Sequence, residues 1–334
     1  MKIMKKTFYL CLFSFVLLGC KALKPSADLS EFAPYFTKDE QTLTIEKGKI
    51  RVTFFGTSTL LFDDGNSQVI IDGFFSRPKV GKVAFGKLRS DEALIRMLIK
   101  KYNMHRLKAI FVCHSHYDHA MDAPLLSKLT GATLYGSSST LQLGKGEQVP
   151  AANMQEFEPG KRLQIADFAV TVLHSKHTPP FKILGKTNAT DPKHPHIEKP
   201  LSQPAKTKEY IEGGSYDMYI EHGKNRFMVK ASTNYIEGAL DAYPCDALFL
   251  GTAMLGKMPA DFMESYYRQT VKSTRAKIVI PIHWDNFMKP FHKPLIALPY
   301  ISDDVAEGFR FLLKKTAEDS LQMRLMQMEQ SLLF

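Results

Sequence analysis

Apolar and polar residues alternate with a period of about two in many short stretches of the chain, which is typical of β-strands. The clearest stretch is 49–63, which an Asp64-Gly65 turn joins to a return strand at 68–72. Helical spacing of apolar residues appears first in 91–102. Because strands are flanked by helices in both halves, we predict two packed sheets with helices outside, an α/β (α+β) fold in one domain over 41–334. Further strands are predicted at 107–112, 132–135, 163–173, 215–221, 226–231, 247–250, 277–282 and 321–329, and further helices at 261–273 and 303–316.

The first twenty residues have the pattern of an export signal. Lys2, Lys5 and Lys6 precede a mostly apolar stretch over 7–18, which is short for a transmembrane helix. The stretch closes with Leu17-Leu18-Gly19-Cys20, which resembles a bacterial lipobox with cleavage before the cysteine. An ordinary signal peptide or an uncleaved anchor is the alternative.

The lipobox interpretation predicts a lipoprotein signal peptide over 1–19 and a lipidated N-terminus and tether over 20–40, with lipid on Cys20. The protein is then expected in the cell envelope, bound to the membrane through Cys20. Lys21 follows the cysteine, which favours the outer membrane if the source has two membranes.

The charge and the cysteines narrow the function classes. A formal net charge of +10 favours anionic lipid or an anionic substrate, although plain solubility explains it equally well. No interleaved basic and aromatic stripe is present, so nucleic acid is not an expected partner. The cysteines Cys11, Cys20, Cys113 and Cys245 do not form a disulfide framework. Cys113 alternates with His114 and should face into the sandwich.

The strongest chemical motif lies directly after the strand at 107–112. Three histidines and one carboxylate fall within six residues there, and histidine with aspartate suits zinc or a similar ion. In an extended chain His114 and His116 point to the same side, and Asp118 and His119 lie where the chain turns toward a helix. Two adjacent metal pockets could form at this strand end; the alternative is a polar loop with incidental histidines.

The spacing His-x-His-x-Asp-His resembles the signature of the metallo-β-lactamase superfamily. Two further segments resemble the N-terminal part of that family: Phe55-Gly56-Thr57-Ser58-Thr59-Leu60 and Ile70-Ile71-Asp72-Gly73. The resemblance implies a four-layer αββα sandwich with its metal site along one edge. It also implies that Asp72 is a structural acid that supports a metal ligand, while the glycines allow close backbone approach.

The resemblance implies two more ligand histidines. His177 fits the loop position after a strand better than His174, which we expect to pack nearby or to support a ligand. His283, at the end of 277–282, fits the last position, and Asp285 is expected to orient a ligand or substrate.

One feature of the family pattern is missing. The position of the acid that bridges two metals is held by Ser232, and a hydroxyl is a weaker ligand than a carboxylate. Either a second ion binds less tightly, or Asn234, Asp241 or water substitutes.

These residues predict a metal-dependent hydrolase in which a hydroxide bound to metal attacks an ester, lactone or phosphodiester. Zinc is the expected ion, in one or two copies, with Mn²⁺ or Fe as alternatives. The chain resembles the lactonase-like and N-acyl-phosphatidylethanolamine phospholipase D-like branch, so a small molecule or a lipid is the expected substrate. A metal-binding surface lipoprotein without catalysis is the alternative. The polar insertion 182–210 is either a lid or a plain surface loop. The predicted first pocket is His114, His116 and His177, and the second is Asp118, which is also the catalytic residue, with His119 and His283.

Overall fold

The computed structural model describes residues 22–38, 40, 44–183, 186–188 and 193–334. The predicted signal peptide and Cys20 lie outside the described residues. Within these ranges no helix combines the length and apolarity needed to cross a bilayer.

Two seven-stranded sheets form the centre of the fold, as the alternation predicts. The first sheet has the strand order β16-β1-β2-β3-β4-β5-β6, and the second has β15-β14-β13-β12-β11-β8-β7, with strands numbered along the chain. Strands β9 and β10 pair with each other separately. The first sheet consists of β1 Arg51–Phe54, β2 Leu60–Asp63, β3 Gln68–Ile71, β4 Leu107–Phe111, β5 Thr133–Gly136, β6 Met154–Glu156 and β16 Ser331–Leu333. The other strands are β7 Arg162–Ile165, β8 Phe168–Ser175, β9 Phe181–Ile183, β10 Lys186–Asn188, β11 Ser215–His222, β12 Asn225–Lys230, β13 Ala247–Gly251, β14 Ile278–Ile282 and β15 Gln322–Met323.

Helices cover the sheets, so the predicted sandwich with helices outside is confirmed. The predicted helix 261–273 is α-helical only to Tyr267 and continues as a π-helix, Arg268–Lys272. Only β15, Gln322–Met323, lies within the predicted closing strand 321–329, and β16 follows it at Ser331–Leu333 in the other sheet. The α-helices are α1 Val80–Phe85, α2 Glu92–Lys101, α3 Tyr117–Ala120, α4 Ala123–Thr130, α5 Ser138–Gly146, α6 Ala260–Tyr267 and α7 Val305–Glu318. Short 3₁₀ helices span Leu29–Tyr35, Met104–Arg106, Ala151–Asn153, Thr207–Glu209 and Leu255–Lys257.

The alternation along β3 shows how the layers form. Val69 and Ile71 belong to the core that contains both sheets, whereas Ile70 packs with the helices on the outer face. Cys113 lies in the former core, as predicted from its alternation with His114. Each fully buried apolar side chain contributes about 1.5 to 3 kcal/mol to the stability of the fold. A register slip of one residue would turn every apolar side chain of a strand to the opposite face, and this contribution would be lost.

The strand directions bring the predicted site segments to one edge. Strands β3, β4 and β5 are parallel, and so are β12, β13 and β14. Because parallel strands end at the same edge of a sheet, the loops after β3 and β4 emerge together, and so do those after β12 and β14.

The N-terminal segment corrects one prediction. Residues 25–37, predicted to be part of a tether, pack on the domain. Phe32 is buried against Phe309 of α7, with ring centroids 5.2 Å apart, and Ser26 Oγ donates to Leu298 O at 2.7 Å. A proline- and serine-containing composition suggests a linker, but the burial of Phe32 and the hydrogen bond from Ser26 hold the segment on the domain.

Residues 193–210 of the polar insertion also pack on the domain. Leu88 and Ala205 form an isolated antiparallel β-bridge, and Ile197 N donates to Ser139 Oγ at 2.9 Å. These contacts favour a packed surface segment over a lid for 193–210. Residues 184–185 and 189–192 lie outside the described residues.

Candidate metal centre

The loop after β4 is shaped by hydrogen bonds to neighbouring segments. Asp72 N donates to Phe111 O at 2.7 Å, and Ser115 N donates to Glu212 O at 2.8 Å. Helix α3 begins after His116, whose carbonyl accepts from His119 N at 3.1 Å. The extended part therefore presents His114 and His116, and the single helical turn presents the next ligand pair.

The structure brings the first predicted pocket together. One ligand atom from each of His114, His116 and His177 lies within 4.8 Å of the others. The ring centroids of His116 and His177 are 4.8 Å apart, and each lies close to the ring of His114, at 4.9 and 5.0 Å. His177 joins the cluster from the loop after β8.

The second predicted pocket lies beside the first. Nε2 of His119 and Nε2 of His283 are 3.1 Å apart, and Asp118 Oδ2 is 3.8 and 3.4 Å from these two atoms. The rings of His114 and His119 have centroids 3.8 Å apart, so the two pockets are adjacent.

The chemistry of these groups fits metal ions. Neither ring nitrogen of His114 has a hydrogen-bond partner in the described part of the chain, although both are buried. Burial lowers the pKa of His114 well below its usual range and that of His116 to about 3, so both imidazoles are neutral near pH 7, the form that binds metal. Burial raises the pKa of Asp118, but the charges of His119 and His283 outweigh it and lower the pKa overall. Nitrogen donors with an ionised carboxylate suit zinc.

Asp72 holds one ligand in the correct tautomer. Its carboxylate accepts from Ser58 Oγ, from Cys113 N at 2.7 Å and from His119 Nδ1 at 2.8 Å. A carboxylate only accepts, so Nδ1 of His119 carries the proton and Nε2 keeps its lone pair for the second pocket. Burial lowers the pKa of His119, but the charge of Asp72 outweighs this and raises it. This contact is the one expected for Asp72.

His177 is oriented in the same way by backbone and side-chain groups. Its Nδ1 lies 3.2 Å from Thr178 O, which leaves Nε2 free, and its carbonyl accepts from Asn234 Nδ2 at 2.6 Å. Asn234 therefore supports His177 through the backbone.

Asp285 acts on the backbone beside His283. It accepts from Thr57 N at 2.7 Å and pairs with the buried Arg77, while Thr57 O accepts from His283 N at 2.6 Å. The predicted close approach at Gly56 is present, because a Cβ there would clash with Nη1 of Arg77. These contacts fix the loop that presents His283.

Three further predicted residues make other contacts. His174 is exposed at the end of β8, where its ring lies 5.6 Å from that of Tyr216, so it supports no ligand. Ser232 is buried just after β12, where its carbonyl accepts from Asn234 N at 3.0 Å. Asp241 accepts from Ser273 Oγ at 2.6 Å on the surface and does not replace the missing acid.

The sequence interpretation missed two residues of the site. Ser58 Oγ lies 2.8 Å from His119 Nδ1 and bridges it to Asp72. Burial lowers the pKa of His177, and the charge that most opposes this is the carboxylate of Glu212. Glu212 lies far from His177 in sequence and precedes two glycines, so no local pattern marks it.

Comparisons with known proteins agree with this geometry. The family model described as "Beta-lactamase superfamily domain" matches residues 68–284. A UPF0173 metal-dependent hydrolase of Myxococcus xanthus is 28% identical over 248 residues, which cover 72% of this chain and 72% of that protein. One of Chloroflexus aurantiacus is 36% identical over 72 residues, 22% of this chain and 30% of that protein. The chain thus spans less than a third of the Chloroflexus relative.

Solved structures show the same fold. The metallo hydrolase Igni18 of Ignicoccus hospitalis matches with a TM-score of 0.53 at 13% identity, covering 86% of this chain and 98% of that one. The metallo-β-lactamase fold protein YhfI of Bacillus subtilis matches with a TM-score of 0.52 at 16% identity, covering 86% and 100%. The chain belongs to the β-lactamase superfamily. Within it, the relatives that this chain matches are described as metal-dependent hydrolases.

Proposed function

We propose that this protein is a membrane-anchored hydrolase that holds up to two ions, zinc being the expected metal, and cleaves an ester, lactone or phosphodiester. The observation that carries the proposal is the pair of adjacent pockets, each with three ligand atoms within 4.8 Å of one another. Their donors are five imidazoles and one carboxylate, a set that suits zinc, with Mn²⁺ or Fe as alternatives.

The residues have separate roles in this proposal. When bound, the ions would make water more acidic and neutralise charge that develops on the substrate. Asp118 is held ionised by its histidine neighbours, so its carboxylate can accept a hydrogen bond from the attacking water and orient it. Asp72 and Thr178 O keep the protons of His119 and His177 on Nδ1.

The small number of carboxylates supports unequal occupancy of the two pockets. Asp118 is the single carboxylate among the six ligands, and Ser232 adds no charge. A dication is held more tightly where negative charge compensates it, so we expect the second pocket, which contains Asp118, to fill first.

The test is elemental analysis of the purified protein, followed by hydrolysis assays on chromogenic phosphodiesters, lactones and esters with and without chelator. His116→Ala should lose metal from the first pocket and most of the turnover. His174→Ala is the matched control, because this histidine is exposed and outside both pockets. Metal without turnover on any of the three substrate classes would favour the non-catalytic lipoprotein instead.

The membrane anchor rests on the lipobox-like segment that ends at Cys20. In a bacterial host, the wild-type protein should fractionate with membranes and incorporate labelled fatty acid. Cys20→Ser should remove the label, and Cys245→Ser serves as the control because that thiol is buried in the domain. Equal labelling of both variants would contradict lipidation at Cys20.

A further inference from the structure

Helix α1 exposes large apolar side chains to solvent. Phe85 is 93% exposed and Val80 is 62% exposed, and no residue of the helix is buried. Val83 alone packs partly against the core. A folded domain normally covers a phenylalanine, so a short helix that leaves two apolar side chains exposed suggests a docking site.

The same segment is strongly basic. Residues 73–90 contain five basic side chains and no acidic one. Arg77 is used in the buried pair with Asp285. The other four are Lys79, Lys82, Lys87 and Arg89, all exposed. None of these four forms an ion pair within the described ranges.

The segment is packed on the domain through residues 205–207. It follows β3, which runs parallel to β4 and therefore ends at the edge where the histidine loop emerges. Thr207 Oγ1 donates to Val83 O at 2.6 Å, and Leu88 forms an isolated β-bridge with Ala205, so the second half of the helix and the residues that follow it are tied to the domain. The exposed side chains are thus presented from a fixed support rather than from a free loop.

We propose that the 79–89 segment docks on an anionic lipid surface, with Phe85 and Val80 entering the interface and the four basic side chains contacting headgroups. Exposed apolar side chains within a run of basic residues without ion pairs match the interfacial region of such a bilayer. An acidic polypeptide would match the charge but offers no apolar phase for Phe85. This surface goes beyond the proposed hydrolytic function.

The experiment places a reporter at the tip of the segment. In the full chain, the sole native tryptophan, Trp284, is fully buried, so Phe85→Trp adds one exposed fluorophore. The emission of Phe85→Trp is recorded with phosphatidylcholine vesicles, with vesicles that also contain phosphatidylglycerol, and with polyglutamate. Met97→Trp, in α2 and 48% exposed, is the matched control outside the segment.

We expect a blue shift for Phe85→Trp on the anionic vesicles only, and none for Met97→Trp. Lys82→Glu with Lys87→Glu, in the Phe85→Trp protein, should abolish the shift, as should about 1 M salt, where the Debye length is about 3 Å. If the protein were attached to the vesicles only through its N-terminal segment, the emission of the two tryptophan reporters would not differ in response. No shift, an equal shift on neutral vesicles, or a response to polyglutamate alone would overturn the proposal. Metal content does not enter this readout, so failure here would leave the hydrolase proposal intact.

Discussion

Replacing Asp72 with asparagine should weaken metal binding at the second pocket without removing the fold. The side chain keeps its size and one carbonyl oxygen. However, each carboxylate oxygen of Asp72 accepts from a different donor. Oδ1 accepts from Cys113 N, and Oδ2 accepts from His119 Nδ1. An amide presents one acceptor and one donor, so no orientation satisfies both. The backbone N–H of Cys113 cannot move its proton, whereas the imidazole of His119 can move its proton from Nδ1 to Nε2.

The amide nitrogen is therefore expected to face His119, which then keeps its proton on Nε2 instead of Nδ1. The protonated Nε2 no longer has a lone pair for the metal. Loss of such a supporting contact typically lowers metal affinity 10- to 100-fold, which corresponds to about 1.4 to 2.7 kcal/mol. The loss of one charge-assisted hydrogen bond should lower the free energy of unfolding by about 1 to 3 kcal/mol.

Metal affinity is measured by competition with a chelator and elemental analysis, and stability by denaturant unfolding. Asp122→Asn is the matched control. Asp122 is also buried and accepts from Phe75 N and Ser76 N, both at 2.7 Å, but it contacts no histidine in the described part of the chain. If folded Asp72→Asn retained metal as tightly as the wild-type protein, the tautomer argument would be wrong.

Three further predictions concern charge. Glu212→Gln should lower metal affinity at the first pocket about tenfold, because it removes the carboxylate whose charge acts most strongly on the pKa of His177. Ser232→Asp should raise affinity for a second ion about tenfold, since a carboxylate binds a dication better than a hydroxyl; both are measured by chelator competition. Burial raises the pKa of Asp303 to about 7 from 3.8, so protonation favours the folded state. Its contribution, up to about 4 kcal/mol, is present below about pH 4 and lost as the pH rises through about 7. Asp303→Asn should remove this fall in the free energy of unfolding.

Each of these changes has a control. Glu209→Gln removes an exposed carboxylate near Glu212 in sequence and should leave metal affinity unchanged. Asp261→Asn changes an exposed aspartate and should keep the wild-type pH profile. A tenfold loss with Glu209→Gln, or an unchanged profile with Asp303→Asn, would contradict the reasoning. Unchanged occupancy in Ser232→Asp would show that this position lies too far from the ions.

The elements that were predicted correctly depend on short-range patterns. Alternation over a few residues marks the strands, because each side of a strand meets one environment. The histidine motif also lies within six residues, so its division between an extended part and a helical turn follows from local geometry. Two features were not predictable: the break at 55–59, which divides the predicted stretch 49–63 into β1 and β2, and the π-helix at 268–272. The left-handed backbone of a residue such as Thr57 and the π-helix depend on neighbours distant in sequence.

By itself, the sequence determined the two-sheet fold and the histidine loop, because hydrophobic period and ligand spacing are local properties. The two later histidines that lie in the pockets, His177 and His283, and the supporting Asp72 followed from the resemblance to the metallo-β-lactamase superfamily. The tertiary structure alone decided that Ser58 and Glu212 act on these histidines and that His174 does not. Glu212 reaches the site because Ser115 N pairs with its carbonyl, and His174 is excluded because β8 turns it to solvent. The packing of Phe32 against α7 was decided in the same way. Such contacts join segments far apart in the chain, and no periodicity within either segment encodes them.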